Sequence, residues 1–432
     1  MIKLVDDDSV FGLMKSSKKV FLGLIFILPV LVAFFLIFKY GVNIPFWDDF
    51  DTTFSFLSKY LDAGSLFEKF KLIFAQHTEH RFGLNRIAVL LNYYISNIDF
   101  KVLMIVGNLA LVGLLIVLYR SSNLLKNKLF LLIPVPFLLF QPQYYESIYW
   151  ATAALCNFYV TFFVFLSLLL LSKSGKLRFA LSVIFALLAT FTMGNGMFVF
   201  LVGLLILLYQ KRYRAMGIYL LIAIVTVVSY FHGYITTASH PSLTQALAHP
   251  IQIIIYFFTL IGAPVGSFHF AWLAKYVGFV VFAYFLYLTY KSYFKKNVVV
   301  YSFFLFLFGT VFTIAVSRSG FGLEQAFASK YMIVSILFYV LGYISLIENF
   351  SVLKGQKYVL GFIGLALCFN LASYYANIND IKAHNESLVH SAEEWKKSGA
   401  GLVYPDKDRA NMLLLKAGER GIYELESVCY QC

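Results

Sequence analysis

The chain has 432 residues, of which 60% are hydrophobic and only 13% are charged. Soluble domains carry roughly 25% charged residues, so this composition excludes an ordinary soluble protein. The net charge is +13, but Lys and Arg lie mostly in short segments between long apolar runs. That placement is typical of cytoplasmic loops in a membrane protein and argues against nucleic acid as a partner.

Apolar runs of about twenty residues recur along the chain, and each can cross a bilayer as an α-helix. A β-barrel would show short alternating segments instead. The first run is longer than the apolar part of a signal peptide and no small-residue cleavage site follows it, so we expect a retained helix. We therefore predict an all-α polytopic integral membrane protein with about 11–13 transmembrane helices and a large first outer loop at residues 41–100.

The basic segments place the N-terminus inside and, for an odd number of spans, the C-terminus outside. Eleven spans are predicted: 20–39, 101–119, 129–140, 153–171, 179–193, 197–209, 215–231, 276–290, 298–316, 330–347 and 358–375. The short apolar segments 83–96 and 251–263 are predicted to be re-entrant or interfacial, because a crossing by either alone would turn basic loops outward. The alternative is that another short segment also crosses, which would keep the basic loops inside. The short pair 179–193 and 197–209 predicts a hairpin that meets a cavity at Gly194-Asn195-Gly196.

Two regions follow from this pattern. Residues 1–375 form the transmembrane module, and residues 376–432 form a small polar tail outside the membrane. Two short amphipathic helices are expected in the tail, the second ending near Gly421. Cys429 and Cys432 form a C-x-x-C pair, which would allow a disulfide in an oxidising compartment and lacks the second pair of a zinc site.

The first outer loop carries two polar clusters, "FWDDFD" at residues 46–51 and "QHTEHRFGLNR" at residues 76–86. Ionisable residues beside a membrane are costly and tend to be functional. Two imidazoles with acids could bind a metal, but H-T-E-H lacks the H-E-x-x-H spacing of zinc proteases. The alternative is a hydrated surface loop, in which individual ion pairs contribute little.

Transfer of a group from a lipid carrier is the chemistry that suits such a loop. A carboxylate can take the proton of an acceptor hydroxyl, and cations can stabilise a departing lipid phosphate. We predict Asp48 or Asp49 as the base, without deciding between them. Arg81, Arg318 and Lys330 are the phosphate-binding candidates, and snorkelling to the membrane surface is the alternative for Arg318 and Lys330.

Other outer residues are candidates for contact with the substrate. In "FQPQYYESIYWATAALCN", Glu146 invites a contact with a sugar and Trp150 could stack on its ring, although a single Trp also fits an aromatic belt. The full set of substrate-binding candidates is His77, Glu79, His80, Arg81, Glu146, Trp150, Asn195, Arg318, Glu324, Lys330 and Tyr331.

The order of these motifs carries a resemblance. A "WDDF" pair comes first, then "HTEHR", "QYYESIYW", "FTMGNG" and finally "RSG" with "SKY". This order resembles the GT-C superfamily of polytopic glycosyltransferases. It is most similar to bacterial members that modify surface polysaccharides from polyprenyl-phosphate sugars, including serotype-converting O-antigen glucosyltransferases.

The resemblance implies a catalytic role for an acid of the first outer loop, a position that Asp48 and Asp49 occupy. No cofactor is certain, and a divalent cation held by Asp49 and Asp51 stays open. Similar proteins often read Arg-Tyr in the last motif. Here it reads Lys330-Tyr331, which keeps the cation but loses the bidentate fork of Arg.

The partners implied are an undecaprenyl-phosphate-linked sugar donor, a surface glycan acceptor and the lipid bilayer. The site would face outward from a bacterial inner membrane, and transfer would invert the anomeric centre. Three alternatives stay open. A polysaccharide polymerase or ligase usually has its large outer loop late in the chain, a flippase or transporter shows repeated halves and mid-membrane charges, and a scaffold needs no site.

Overall fold

A computed structural model describes residues 7–235 and 248–425 of the chain. Within these ranges the secondary structure is helical, and the sole β-bridge joins His77 to His80. The prediction of an all-α polytopic membrane protein is confirmed. Cys429 and Cys432, and with them the predicted disulfide, lie outside the described residues.

Nine helical stretches in the described ranges are long and apolar enough to cross a membrane: Lys19–Tyr40, Phe100–Ser121, Ala151–Leu171, Tyr213–Phe231, Pro250–Phe268, Ala271–Tyr290, Val298–Phe321, Ser329–Asn349 and Gln356–Ser398. Shorter helices complete the membrane part: Lys128–Leu131, Pro134–Leu139, Lys176–Thr192 and Phe198–Tyr209. The first loop, defined as residues 41–99, holds Phe56–Asp62, Leu66–Ile73 and Gly83–Ser96.

The predicted span at 129–140 is broken into two short helices. Pro134 starts the second of them, because proline lacks an N–H and suits the first turn of a helix rather than its interior. The break frees backbone carbonyls inside the membrane part, where an unpaired carbonyl is costly. Tyr343 donates a hydrogen bond to the carbonyl of Leu131, and Asn370 donates one to the carbonyl of Phe137 at 2.7 Å.

The two ends of the molecule have different contents. The loop end holds the first loop, and the Glu348 end holds a buried carboxylate, Glu348, between basic connecting segments. Segment Pro250–Phe268 meets the length criterion for a span, yet both its ends lie at the loop end. Gln252 donates to the carbonyl of Ser319 at 2.9 Å, and Gln143 donates to the carbonyl of Pro264 at 3.2 Å. That residues 251–263 form a re-entrant or interfacial segment stays a prediction.

Besides these nine candidate spans, the broken segment and the two helices of the short hairpin are apolar but shorter. The count of about 11–13 transmembrane helices stays a prediction. Helix Gly83–Ser96 has 14 residues and stays within the loop end. A helix of that length spans about 21 Å, short of the ~30 Å hydrocarbon core.

The predicted boundary at residue 375 falls inside a single helix. Gln356–Ser398 has 43 residues, which corresponds to about 65 Å at about 1.5 Å per residue. The first of the two predicted tail helices is the continuation of this helix. The second is Lys407–Glu419, and Gly421 follows it with φ of +62°.

The C-terminal segment, defined as residues 399–425, shares a hydrophobic core with the first loop. Phe50 and Phe54 of the loop are fully buried in the same cluster as Leu413 and Tyr423 of the segment. This cluster is separate from the main core between the membrane helices. The tail is thus packed onto the loop that carries the acidic pair.

Candidate functional site

The three aspartates of "FWDDFD" face three different surroundings. We define the acidic turn as residues 46–52. Its last residues begin the helix Phe50–Ser55, in which Phe50 and Thr52 are buried. Asp49 is fully buried and points toward the membrane helices. The backbone N–H and hydroxyl of Thr152 donate to its Oδ1 at 3.0 and 2.6 Å, and the N–H of Phe46 donates to its Oδ2 at 3.1 Å.

The surroundings of Asp49 favour its protonated form. Burial raises its pKa to about 7, and the hydrogen bonds from Thr152 and Phe46 lower it only in part. A carboxyl group with this pKa is half-protonated near neutral pH. Because every accepting position of Asp49 faces a protein donor, we assign it to anchoring the turn to the membrane helices.

Asp51 points the opposite way, toward the C-terminal segment. It accepts hydrogen bonds from Tyr404 and Arg409. Burial alone would raise the pKa of Asp51, but these two hydrogen bonds outweigh it and hold the pKa below its ordinary value. Asp51 is therefore ionised and engaged in a structural contact.

Asp48 is the exposed member of the three. Its side chain is 35% exposed, and Oδ1 lies 3.7 Å from Nε2 of His77. Among the described residues, no hydrogen bond reaches the carboxylate, whereas its backbone carbonyl accepts from the N–H and hydroxyl of Thr52 at 2.8 Å. The structure thus separates the predicted pair: Asp48 is open to a ligand and Asp49 is not.

His77 and His80 sit at the two ends of a tight turn. The N–H of each donates to the carbonyl of the other, at 2.8 and 2.9 Å, and Thr78 between them has φ of +48°. Nε2 of His77 and Nδ1 of His80 are buried and make no hydrogen bond within the described chain. Buried polar atoms are almost always paired, so these two nitrogens mark a place where a ligand can bind.

The ring of His80 is neutral at physiological pH. Burial lowers its pKa to about 4, against the opposing effect of Glu79. Glu79 forms an ion pair with Arg318 at 2.8 Å, with both side chains 21% exposed. The predicted candidates His77, Glu79, His80 and Arg318 are thus gathered around Asp48, although Arg318 is 270 positions away along the chain.

The short hairpin reaches this cluster with its tip. A Cβ atom on Gly194 would lie 2.9 Å from the hydroxyl of Tyr230 and 3.3 Å from Nδ1 of His80, so a side chain there would enter the cluster. Asn195 donates to the hydroxyl of Thr310 at 3.3 Å, and its Oδ1 is buried without a partner in the described residues. The turn thus lies against the cluster, and the predicted cavity at Gly194-Asn195-Gly196 stays a prediction.

A second group of candidates lies beside the first. The backbone N–H of Lys330 donates to the carboxylate of Glu146; burial raises the pKa of Glu146, and the Lys330 ammonium opposes that rise. The ring of Trp150 meets Phe46 of the acidic turn edge-on at 5.3 Å. The Nε1 of Trp150 is buried and has no hydrogen-bond partner among the described residues.

Three predicted candidates have other roles or none visible here. Arg81 is committed to structure, because its guanidinium donates to the carbonyls of Phe74, Tyr230 and His232. Glu324 is exposed and makes no hydrogen bond or ion pair with a described residue. Tyr331 lies under the Lys330 ammonium, 5.4 Å from it.

The residues do not fit a metal held by Asp49 and Asp51. The two carboxylates point to opposite sides of the turn and each is filled by protein donors. Within the described ranges no three His, Cys, Asp or Glu side chains gather as a metal site would require.

An apolar groove runs along the membrane helices from the loop end. It has a volume of about 820 Å³ and lies between helices Ala271–Tyr290, Ser329–Asn349 and Gln356–Ser398. Phe268, Tyr339 and Phe369 line it. Its lining suits a hydrocarbon chain.

Comparison with known proteins gives no identification: no family model, curated protein or solved structure matches this chain. The resemblance to the GT-C superfamily stays a prediction. Sequence reasoning missed Thr152, Tyr404 and Arg409, which hold the acidic turn. Thr152 lies within the segment "FQPQYYESIYWATAALCN" singled out above, but the link of all three residues to the turn exists only in the folded chain.

Proposed function

We propose that the protein is a membrane glycosyltransferase that moves a sugar from a polyprenyl-phosphate donor to a hydroxyl of a surface polysaccharide or lipid-linked glycan. The observation that carries the proposal is the arrangement around Asp48. One open carboxylate lies beside imidazole nitrogens without partners and an Arg–Glu pair. The arrangement lies at the end of the molecule that holds the first loop, beyond the apolar helices, and this supports a donor that presents its head group at the membrane surface.

In the proposed reaction, Asp48 takes the proton of the acceptor hydroxyl as that oxygen attacks the anomeric carbon. The bond between the anomeric carbon and the phosphate oxygen breaks, and the lipid phosphate leaves with the bonding electrons. Attack from the side opposite the phosphate inverts the anomeric centre. Nε2 of His77, 3.7 Å from Asp48, is close enough to stabilise the proton on the base.

The leaving phosphate needs positive charge, and two cations are at hand. Arg318 forms an ion pair with Glu79, and the Lys330 ammonium lies near enough to Glu146 to lower the pKa of that carboxyl group. A cation paired with a carboxylate is held in place without a ligand, and a phosphate with more charge can then compete for it. Charge-assisted hydrogen bonds to the phosphate strengthen as its charge develops, which favours the transition state.

The donor's hydrocarbon chain would lie in the apolar groove of about 820 Å³. Polyprenyl chains are long and flexible, and a groove open to the bilayer admits part of such a chain without enclosing it. This supports a lipid-linked donor over a soluble nucleotide sugar, because a nucleotide would gain nothing from an apolar groove.

The test compares two aspartates of the same loop. Asp48→Asn and Asp62→Asn would be purified into nanodiscs and given undecaprenyl-phosphate glucose as the probe, with glycan from the source cell surface as acceptor. Asp62 is an exposed loop residue paired with Arg420. We expect Asp48→Asn to lower transfer by about a hundredfold or more, the usual share of a positioned base, and Asp62→Asn to leave it unchanged. Full transfer by Asp48→Asn would show that Asp48 is not the base and would contradict the proposed mechanism.

Orientation is tested separately. Single cysteines would be introduced at Ser65 in the first loop and at Ser174 at the other end, both exposed, in a background without native cysteines. An impermeant maleimide applied to intact cells should label position 65 and spare position 174. The reverse pattern would place the site on the cytoplasmic side and exclude an outward-facing reaction.

A further inference from the structure

The C-terminal segment forms hydrogen bonds with the acidic turn on both sides of Asp48, and we call this set of contacts the grip. On one side, the N–H of Trp47 donates to the carbonyl of Val403 at 3.2 Å. On the other, Asp51 accepts from Tyr404 and Arg409. The exposed carboxylate of Asp48 therefore lies between two residues that the same segment holds.

The backbone at Trp47 explains why such a grip is needed. Trp47 has φ of +47°, a conformation that is costly for a bulky side chain and persists only when surrounding contacts impose it. Relaxation of Trp47 to negative φ would rotate the peptide that leads into Asp48. The contact with Val403 opposes that rotation.

The grip is continuous with a wider interface. Tyr423 donates to the carbonyl of Asn43 at 2.6 Å, and the N–H of Ile98 donates to the carbonyl of Ile422 at 3.1 Å. Buried side chains of both partners form one hydrophobic cluster. The segment thus closes the first loop at its two ends as well as at the acidic turn.

We infer that the C-terminal segment is a positioning element of the proposed transferase, and that Arg409 and Tyr404 set the placement of Asp48 by holding Asp51. The inference rests on the proposed function. Neither side chain contacts Asp48, so their effect on the reaction is through geometry. A misplaced base loses rate because the reacting atoms must be aligned before the proton moves.

This role predicts a particular kinetic pattern. Loss of the Arg409 contact should lower kcat roughly tenfold to a hundredfold, since small displacements near the reacting atoms cost about that much. KM should change less than about twofold, because binding contacts are intact when only the transition state is affected. Arg409→Lys keeps the charge and one donor, so it should recover most of the rate.

The chain offers a matched control. Arg420 lies in the same segment and also pairs with an aspartate of the first loop, Asp62, at 2.9 Å. Arg409→Gln and Arg420→Gln therefore each remove one Arg–Asp contact between the same two partners. Only the first contact reaches the acidic turn, so only Arg409→Gln should show the kinetic change.

An exchange measurement tests the grip without any assay of activity. The two variants and the wild type would be compared by amide hydrogen exchange in nanodiscs, on peptides covering residues 46–55 and 56–62. We expect Arg409→Gln to speed exchange in 46–55 by about tenfold, and Arg420→Gln to act on 56–62 alone. Equal effects of the two variants on 46–55, or no effect of Arg409→Gln, would overturn the inference.

The two proposals can fail separately. If the wild type transfers no sugar but Arg409→Gln loosens residues 46–55, the proposed function fails and the grip stands as a structural contact. If the wild type is active and Arg409→Gln loosens the turn without lowering kcat, the proposed function stands and the positioning role is wrong.

Discussion

Two carboxylates at opposite ends of the molecule, the buried Glu348 and the partly exposed Asp48, have different surroundings. Glu348 is 3% exposed and accepts from the N–H of Asn123 at 2.7 Å, the hydroxyl of Tyr293 at 2.6 Å and the side chain of Asn297 at 3.1 and 3.0 Å. Lys296 donates to its backbone carbonyl. Two connecting segments, around Asn123 and around Tyr293 to Asn297, thus meet at this one side chain near the end of its helix.

The loop end is organised differently. Asp49 and Asp51 are filled by protein donors in the same manner as Glu348, but the polar atoms around Asp48 are not. Four buried atoms there lack a partner within the described chain: Nε2 of His77, Nδ1 of His80, Nε1 of Trp150 and Oδ1 of Asn195. Leaving a buried donor or acceptor unpaired costs about 1–3 kcal/mol. At the Glu348 end the carboxylate itself is fully paired, and the buried atom without a partner among the described residues belongs to the neighbouring side chain, Nδ2 of Asn349.

The difference between the paired carboxylate of Glu348 and the unpaired atoms around Asp48 indicates where a ligand is expected. A carboxylate whose positions are all occupied joins segments of the chain, whereas a cluster with unpaired nitrogens is completed by something from outside. Ionisable groups alone would not have distinguished the two ends.

The largest effect should come from Glu348→Gln. This change keeps the shape of the side chain but turns an N–H₂ group toward donors that now bond the carboxylate. At least two of these donors lose their acceptor, at about 1–3 kcal/mol each, so we expect a loss of about 3–5 kcal/mol in the free energy of unfolding. Transfer per folded molecule should be unchanged. Thermal unfolding in detergent would be compared with Glu393→Gln, an exposed residue of helix Gln356–Ser398. Equal stability of the two variants would break the comparison.

The next prediction concerns Asp49, whose raised pKa makes the stability of the folded protein depend on pH. Its pKa of about 7 lies above the 3.8 of an unperturbed Asp, so between these values the folded state binds more protons than the unfolded state. Stability from this group is therefore full below pH 4 and falls as pH rises toward 7, by at most about 4 kcal/mol. The melting temperature of the wild type should fall over this range more than that of Asp49→Asn. Parallel curves would show that Asp49 is ionised throughout.

The smallest effect concerns salt. The side chain of Arg409 is 43% exposed, so its contact with Asp51 is screened by ions, whereas the Asp49 anchor is fully buried. Raising NaCl from about 0.05 to about 0.5 M should weaken the Arg409 contact by less than about 1 kcal/mol. Exchange of residues 46–55 should rise slightly in the wild type and not at all in Arg409→Gln. The same salt response in both would exclude the ion pair as its source.

Sequence alone predicted much of the fold, because apolar length and the placement of basic residues are direct consequences of the bilayer. The broken helix at Pro134 was missed as a break, although proline in an apolar run signals one. The helical continuation beyond residue 375 was missed because polarity changes there while helix propensity does not.

The site was predicted in its composition but not in its roles. The clusters around Asp48 and His77 stand out locally because charge is rare in this chain. Which aspartate is open depends on Thr152 and Arg409, which lie 103 and 358 positions away from their partners. Contacts over such separations arise from packing, and no pattern within the loop encodes them.

The 43-residue helix Gln356–Ser398 leads into the C-terminal segment, so the number of residues in this helix decides where Arg409 lies. From residue 365 to 398 the helix contains neither Gly nor Pro, so this part has no hinge. In its C-terminal half, the side chain of Asn385 donates to the carbonyl of Tyr40 at 2.8 Å. One inserted residue would turn everything beyond it by about 100° and carry Arg409 away from Asp51. The connection after it holds Gly399 and Gly401, both at positive φ, and can absorb a change in length. Insertions should therefore be tolerated after residue 398 and be harmful before it. The length of this helix thus fixes the position of the C-terminal segment relative to the acidic turn.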